Sequence, residues 1–302
     1  MIKVLFFFEN AWAFGSIHNA LAKELYPYEI HADIIDWASH YVLEEFDLLN
    51  SVYDYFVTIP SVVMHLHRNC DIPMEKIIAV GHGQIDILKA LQEHGNELFD
   101  SVKKYSVISQ TLKDKSIEFG VKRMPEVAKT AVHFDMFYSK PADSLKTIGY
   151  GGAIEAYDYY GNEIKRGNLV ENVVNQIDGI DLKTTGKYNN YCMPGYYKTI
   201  DGLVVSSTQE AGCLPALEAA CAGRLVMGTP VGFLGEDGEK GSGILLPMEA
   251  ESFQKNLKET IEMYKDNSQL YKSKCEEIQT FARENYDWKH VINEWVQLFS
   301  DN

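Results

Sequence analysis

Asp201-Gly202-Leu203-Val204-Val205-Ser206-Ser207-Thr208-Gln209-Glu210-Ala211-Gly212-Cys213-Leu214-Pro215-Ala216-Leu217-Glu218-Ala219-Ala220-Cys221-Ala222-Gly223 is the stretch whose reading decides the fold. Residues 203–205 are a short apolar, β-branched run, the pattern of a buried strand. A polar loop follows and ends at Gly212. Pro215 suits the first turn of a helix, where its missing N–H has no partner to lose. Alanines carry that helix to Gly223, a natural residue just past a helix end. Residues 224–228 then begin another strand. A helix start of this kind leaves N–H groups unpaired, and those donors together with the helix dipole attract phosphate. Two carboxylates flank it, Glu210 in the loop and Glu218 about one turn into the helix. An ionised carboxylate accepts from vicinal hydroxyls, which a ribose or a hexose offers. The plainer alternative is that Glu210 caps the helix and Glu218 faces water. These residues alone leave both open.

The same alternation extends in both directions. Strands are predicted at 3–8, 30–36, 53–59, 77–80, 104–108 and 128–132, with helices between them, clearest at 17–26, 84–95 and 110–119. Strand–helix alternation at this spacing predicts a parallel sheet covered by helices. A second series starts at 145–150 and continues with a helix near 168–177 and strands near 202–207 and 224–228. From residue 249 onward the pattern is helical, with breaks near Asn267 and Tyr286. The polar, proline-containing segment 139–144 separates the two series. The expected organisation is an N-terminal domain over 1–142, a C-terminal domain over 143–286, and a helix over 287–302 that packs back on the first domain. Two such domains create a cleft, and open α/β sheets bind ligands beyond the carboxyl ends of their strands.

Composition agrees with a globular α/β protein. The 302 residues are 46% hydrophobic and 24% charged. No apolar run approaches the ~20 residues that span a bilayer. Residues 1–8 are too short an apolar stretch for a signal peptide and read as the first strand. Five scattered cysteines, with no C-x-x-C pair, fit a reducing compartment, so the expected location is cytoplasmic. Net charge is −15, which repels nucleic acid and anionic membrane over most of the surface. Residues 103–146 differ, with 9 Lys+Arg against 5 Asp+Glu. That stretch is either a solvated face or a landing site for an anionic acceptor such as DNA.

Glu210 and Glu218, with seven residues between them, resemble the E-x7-E signature of retaining GT-B glycosyltransferases, in particular the large group 1 family. The flanks are similar in order: Met193-Pro194-Gly195-Tyr196-Tyr197-Lys198 with Asp201 before it, then Gly228-Thr229-Pro230-Val231-Gly232, Glu236 and Gly243-Ile244-Leu245-Leu246-Pro247 after it. The likeness covers about 150–247. It implies a GT-B fold, two Rossmann-like domains facing an interdomain cleft. It also implies that a nucleotide-diphosphate-sugar donor sits on the C-terminal half. Glu218 would hold the ribose hydroxyls and Glu210 the transferred sugar. The amides around Gly212, Cys213 and Leu214 would face the donor.

Upstream, Ile148-Gly149-Tyr150-Gly151-Gly152 resembles the strand and glycine turn that open the family's donor domain, which makes Gly151 and Gly152 donor-binding candidates. Lys165-Arg166-Gly167 resembles its K-G element, whose cation neutralises the leaving diphosphate. Arg166 takes the aligned position, and Lys165 is the substitute. The family often places Arg directly after the glycine turn; Ala153 stands there here, so neutralisation rests on Lys165 and Arg166. In the N-terminal half, Gly15 is the candidate for the family's glycine-containing loop after the first strand. Val80-Gly81-His82-Gly83 resembles its histidine site near the transferred sugar, which makes His82 a catalytic candidate together with Glu210, Arg166 and Lys165. Residues 132–137 loosely resemble the family's linker, without its usual glycine.

His65, His67, Cys70 and Asp71 do not make a metal-ligand set, and no D-x-D triplet is present, since Asp33 and Asp36 are one residue too far apart. Neither a metal nor a cofactor is expected; the nucleotide-sugar is a substrate. The implied reaction transfers a sugar with retained anomeric configuration to an acceptor hydroxyl, with a saccharide, small-molecule or glycoconjugate acceptor favoured and a hydroxymethylated DNA base as the alternative. Two readings of other classes stay open. One is a dinucleotide-dependent oxidoreductase, from Gly149-x-Gly151 with Ile154 where the third glycine of G-x-G-x-x-G belongs. The other is a non-catalytic protein that binds nucleotide-sugars.

Overall fold

Five consecutive apolar residues, Val4 to Phe8, are buried in the first strand, β1 (Ile2–Phe8). Such a run, without polar alternation, belongs to a strand covered on both faces. In the computed structural model, which describes residues 1–9, 12–37, 46–152, 154–157, 161–185 and 190–300, β1 has a parallel neighbour on each side. These are β2 (Ile30–Asp36) and β3 (Tyr55–Thr58). β4 (Ile77–Gly81), β5 (Lys104–Val107) and β6 (Glu126–Val127) extend the sheet in parallel, giving the order β2-β1-β3-β4-β5-β6. The order reverses direction between β1 and β3, which makes their carboxyl ends the switch point where such sheets take ligands.

The chain divides into two compact units, Met1–Thr130 with Trp288–Asn302, and Ala131–Asp287. The division falls upstream of the expected 142/143 boundary. Segment 139–144 is held by the second unit: the Ser139 hydroxyl donates to Ala222 O at 2.7 Å, and Gln279 Nε2 donates to Ser139 O at 2.9 Å. The strand expected at 128–132 is shorter and earlier. β6 has only two residues in register with β5, and Val132 instead bridges Asp287 in the second unit.

The second unit repeats the plan. β7 (Thr147–Tyr150) is followed by an antiparallel hairpin of β8 (Glu155–Tyr157) and β9 (Glu163–Arg166). Then come β10 (Asp181–Thr184), β11 (Gly202–Val205), β12 (Leu225–Gly228) and β13 (Ile244–Leu245). The main sheet is parallel, in the order β10-β7-β11-β12-β13, with its switch point between β7 and β11. Its core includes Ile148, Leu203, Val204, Leu225 and Val226, each at most 1% exposed, and each contributes roughly 1.5–3 kcal/mol of burial.

Helix ends follow local chemistry. Glu249 caps the Ala250–Asp266 helix by accepting from the N–H groups of Glu251 and Ser252. Asn267 ends that helix and caps Ser268–Tyr286 by accepting from Leu270 N. The last helix, Trp288–Leu298, belongs to the first unit. There Trp295 Nε1 donates to Lys129 O at 2.9 Å, and Glu294 accepts from Lys129 N at 2.7 Å.

Candidate functional site

The carboxyl ends of β7 and β11 meet the start of the Leu214–Cys221 helix. Gly151 leaves β7 so close to that helix that a Cβ there would lie 2.9 Å from Pro215 Cβ, so only glycine permits the approach. Gly152 takes φ 110 and donates its N–H to Thr185 Oγ1 at 3.1 Å. The helix N-cap is Cys213, held at φ 53 and ψ 56 with no side-chain cap. A left-handed conformation at a non-glycine residue costs about 1–2 kcal/mol and marks sites that the surrounding structure holds in place. The Cys213 carbonyl turns inward to accept from Ala216 N at 3.0 Å. Among the described residues, no carbonyl accepts from the N–H groups of Gly212, Cys213 or Leu214. Three consecutive unpaired amides at a helix start form an anion-binding end.

Beside it lies an ion pair. Lys165 Nζ donates to Glu210 Oε1, and the Ser207 hydroxyl donates to the same oxygen at 2.8 Å. Both charged side chains are about one-fifth exposed, at 23% and 19%. Burial lowers the pKa of the Lys165 ammonium from its ordinary value. Glu210 therefore does not cap the helix. Nor does Glu218 face water, being 7% exposed. Its Oε2 accepts from the Tyr197 hydroxyl at 2.7 Å, and burial raises its pKa to about 7 against the opposing effect of that hydrogen bond.

Lys165 and Arg166, expected to act together, are separated by the alternation of β9, which sends successive side chains to opposite faces. The Arg166 guanidinium donates from Nε to Ser206 O at 2.7 Å and from Nη1 to Met248 O at 2.6 Å. It also lies 5.6 Å from the centre of the Phe253 ring. Arg166 thus ties β9 to the end of β11 and to the segment before the Ala250–Asp266 helix, while Lys165 reaches Glu210.

In the first unit, His82 directly follows β4. It is 8% exposed, and its Nε2 is buried without a partner. Its ring stands edge-on to Phe14, Phe8 and His18 at 5.0, 5.4 and 5.4 Å. Burial lowers its pKa to about 3, so the imidazole is neutral at physiological pH. His18 lies in the Trp12–Leu25 helix and stacks on Phe8 at 3.7 Å with neither ring nitrogen partnered. Gly15 occupies the first turn of that helix and not a loop, its carbonyl accepting from Asn19 Nδ2 at 2.6 Å. The correction has a local cause: the helix already begins at Trp12. Ala153, where the family often has Arg, lies outside the described residues.

The basic stretch 103–146 is partly consumed by the fold. Lys104 Nζ donates to Gln297 O at 2.7 Å, and Lys115 pairs with Glu118 at 2.7 Å. Arg123 Nη1 donates to Phe99 O and Val102 O, each at 2.7 Å. Among the described residues, no three His, Cys, Asp or Glu side chains come together as metal ligands. No helix of the described residues is long and apolar enough to cross a membrane.

Tyr197 and Ser207 were not singled out by sequence reasoning. Ser207 follows the buried strand, and Tyr197 precedes it by a few residues, but neither spacing identifies which carboxylate each contacts.

Two parallel sheets of this order, each with a switch point, form a GT-B fold, the architecture of a class of glycosyltransferases. No protein-family model matches the chain, and no curated protein matches it in sequence. Solved structures do match in shape. Sucrose-phosphate synthase from Thermosynechococcus elongatus superposes with a TM-score of 0.72 at 12% identity, over 99% of this chain and 98% of that one. Anabaena HepE in complex with UDP gives a TM-score of 0.72 at 13% identity over 100% of both chains. The apo form of the lipopolysaccharide outer core galactosyltransferase WaaB gives 0.62 at 12% identity, over 98% of this chain and 99% of that one. At these identities the likeness is one of fold.

Proposed function

We propose that this protein is a metal-independent, retaining glycosyltransferase that binds a nucleoside-diphosphate-sugar on its second unit and transfers the sugar to a saccharide or other small-molecule hydroxyl. The observation that carries the reading is the grouping at the switch point between β7 and β11. Unpaired amides at Gly212, Cys213 and Leu214 stand with the Lys165–Glu210 pair and the buried Glu218 carboxylate. Each part has one job. The helix start and the Lys165 ammonium take the diphosphate, whose charge grows as the glycosidic bond breaks. Glu218 accepts from ribose hydroxyls through the oxygen that Tyr197 leaves free. Glu210 positions a hydroxyl of the transferred sugar, and Gly151 and Gly152 let the backbone come close. Arg166 acts by holding β9 in place.

His82, neutral through burial in the first unit, is the catalytic candidate that the family resemblance supplies there. Retention is supported by the E-x7-E resemblance; since Glu210 is engaged by Lys165 and Ser207 and poorly disposed to act as a nucleophile, the acceptor hydroxyl would approach from the face the diphosphate leaves. The complexes of HepE with UDP and with UDP-glucose make a uridine donor the first to test. A DNA acceptor is not favoured, because Lys104, Lys115 and Arg123 are bound within the first unit. The scattered free cysteines support a cytoplasmic location.

The test is a thermal-shift panel of UDP-, GDP-, ADP- and CMP-sugars. A ligand at 100 times its Kd stabilises by about 2.7 kcal/mol. One donor class should raise the melting temperature of the wild type and leave Glu218→Ala unchanged. No shift with any donor, or equal shifts in both proteins, would contradict the proposal.

A further inference from the structure

We infer that Tyr197 is a positioning residue for the donor site: its hydroxyl, donating to Glu218 Oε2, favours the ionised form of that carboxylate and fixes its aim, and so raises the donor affinity. The inference rests on the proposed donor role of Glu218.

Glu218 is a carboxylate that the fold has taken out of water, at 7% exposed. A buried carboxylate without a donor reverts to the neutral acid. The Tyr197 hydroxyl, 2.7 Å away, is the only hydrogen-bond donor to Glu218 among the described residues. The other titratable groups that feel this carboxylate are the thiols of Cys213, at the helix N-cap, and of Cys221, on its own helix; burial raises the pKa of each and the Glu218 charge adds to the rise. No cation among the described residues pairs with Glu218. Among the described residues the side-chain hydrogen bond that favours the ionised form therefore comes from one phenol, which is itself fully buried and fixed in the Met193–Tyr197 helix. Burial raises the Glu218 pKa to about 7, and the Tyr197 hydrogen bond pulls against that rise. Burial thus brings the titration of Glu218 up from the acid range towards physiological pH. A small change at Tyr197 changes the ionised fraction, and with it the strength of hydrogen bonds accepted from ribose hydroxyls, since ionised acceptors bind about twice as strongly as neutral ones. Oε2 is occupied by Tyr197, so Oε1 is the oxygen left for the ligand.

The test has two arms on wild type, Tyr197→Phe and Glu218→Gln. In the first, ¹³C-carboxyl-labelled glutamate is titrated by NMR from pH 5 to 9, with the Glu218 signal assigned by its loss in Glu218→Gln. In the second, UDP affinity is measured by calorimetry over the same range. The wild-type Glu218 signal should titrate near 7, and the Tyr197→Phe signal at least half a unit higher. UDP binding to Tyr197→Phe should be several-fold weaker at pH 7 and return to within twofold of wild type by pH 9. Glu218→Gln should bind weakly with no such pH dependence. A change that merely loosened the fold would weaken UDP binding equally at every pH. An unmoved Glu218 midpoint, with UDP binding intact, overturns the role of Tyr197 and leaves the donor site standing. A midpoint that moves in a protein that binds no UDP at any pH overturns the coupling to donor affinity and the donor assignment together.

Discussion

Lys165 and Arg166 are neighbours in β9, yet their charges serve different ends: the Lys165 ammonium pairs with Glu210, and the Arg166 guanidinium donates to the carbonyls of Ser206 and Met248. A strand turns successive side chains to opposite faces. One cation is therefore available to a ligand at the helix start, and the other is part of the frame.

The two residues should separate cleanly in mutants. Lys165→Ala should fold with a melting temperature near wild type and lose roughly 10–150-fold in kcat/KM, the equivalent of about 1.5–3 kcal/mol for a charged hydrogen bond. Arg166→Ala leaves two carbonyls without their donor and should destabilise the second unit by about 2–4 kcal/mol. Paired melting curves and steady-state rates decide the matter. Equal losses of stability in both variants would refute the division of labour.

Glu218 gives the second unit a pH-dependent stability. Its folded pKa, about 7, lies above the ordinary 4.5. The unfolded chain therefore releases this proton first, so the contribution of the group is present below pH 4.5 and is lost as pH rises through 7. A shift of this size corresponds to about 3 kcal/mol. Glu218→Gln keeps an acceptor for Tyr197 and does not titrate. Its melting temperature relative to wild type should rise by several degrees between pH 5 and pH 8.5. A difference that does not change with pH would show that the carboxyl is not destabilised by burial.

His18 acts in the opposite sense. Burial, reinforced by His82, holds its pKa well below the ordinary 6.5. Its contribution is thus present above pH 6.5 and is lost as pH falls, because the unfolded chain takes up a proton that the folded chain refuses. Both ring nitrogens lack partners, and the ring lies against Phe8. His18→Phe should raise the melting temperature at pH 7 and gain further, by up to about 2 kcal/mol, on going to pH 5. If the substitution lowers stability at both pH values, the imidazole has a partner that this account omits.

If Lys165 and the unpaired amides take the diphosphate as proposed, no metal is needed to neutralise it, and turnover should persist in about 5 mM EDTA at more than about half its untreated rate. Complete loss that Mn²⁺ or Mg²⁺ restores would place a metal in the reaction.

Much of this was readable in the sequence. Residues 3–8 and 203–205 are apolar runs too short for helices, and Pro215 and Gly223 fix the ends of the helix between two strands. Asn267 and Tyr286 mark the ends of long helices because a side-chain cap and a break in apolar periodicity are local signals. What was not readable depends on tertiary contact. In the sequence Arg166 takes the aligned position and Lys165 stands only as its substitute, and it is their pairing partners that leave Lys165 beside Glu210 and Arg166 in the frame. Gly15 reads as a loop glycine because it follows the first strand so closely, whereas the helix already begins at Trp12. Segment 139–144 has linker composition, but Gln279 and Ala222, far along the chain, bind it to the second unit. Tyr197 becomes informative only when its hydroxyl is seen against Glu218.

The central claim is sugar transfer from a nucleotide donor by the second unit's site. The most direct measurement incubates wild type and Lys165→Ala with UDP-glucose and a panel of saccharide acceptors, and follows nucleoside diphosphate release and the anomeric proton of the product by NMR. The account predicts UDP release with retained α configuration by wild type, and a rate at least tenfold lower for the folded Lys165→Ala variant. Wild type that releases no diphosphate from UDP-, GDP- or ADP-glucose, or a Lys165→Ala variant that turns over at the wild-type rate, would contradict it.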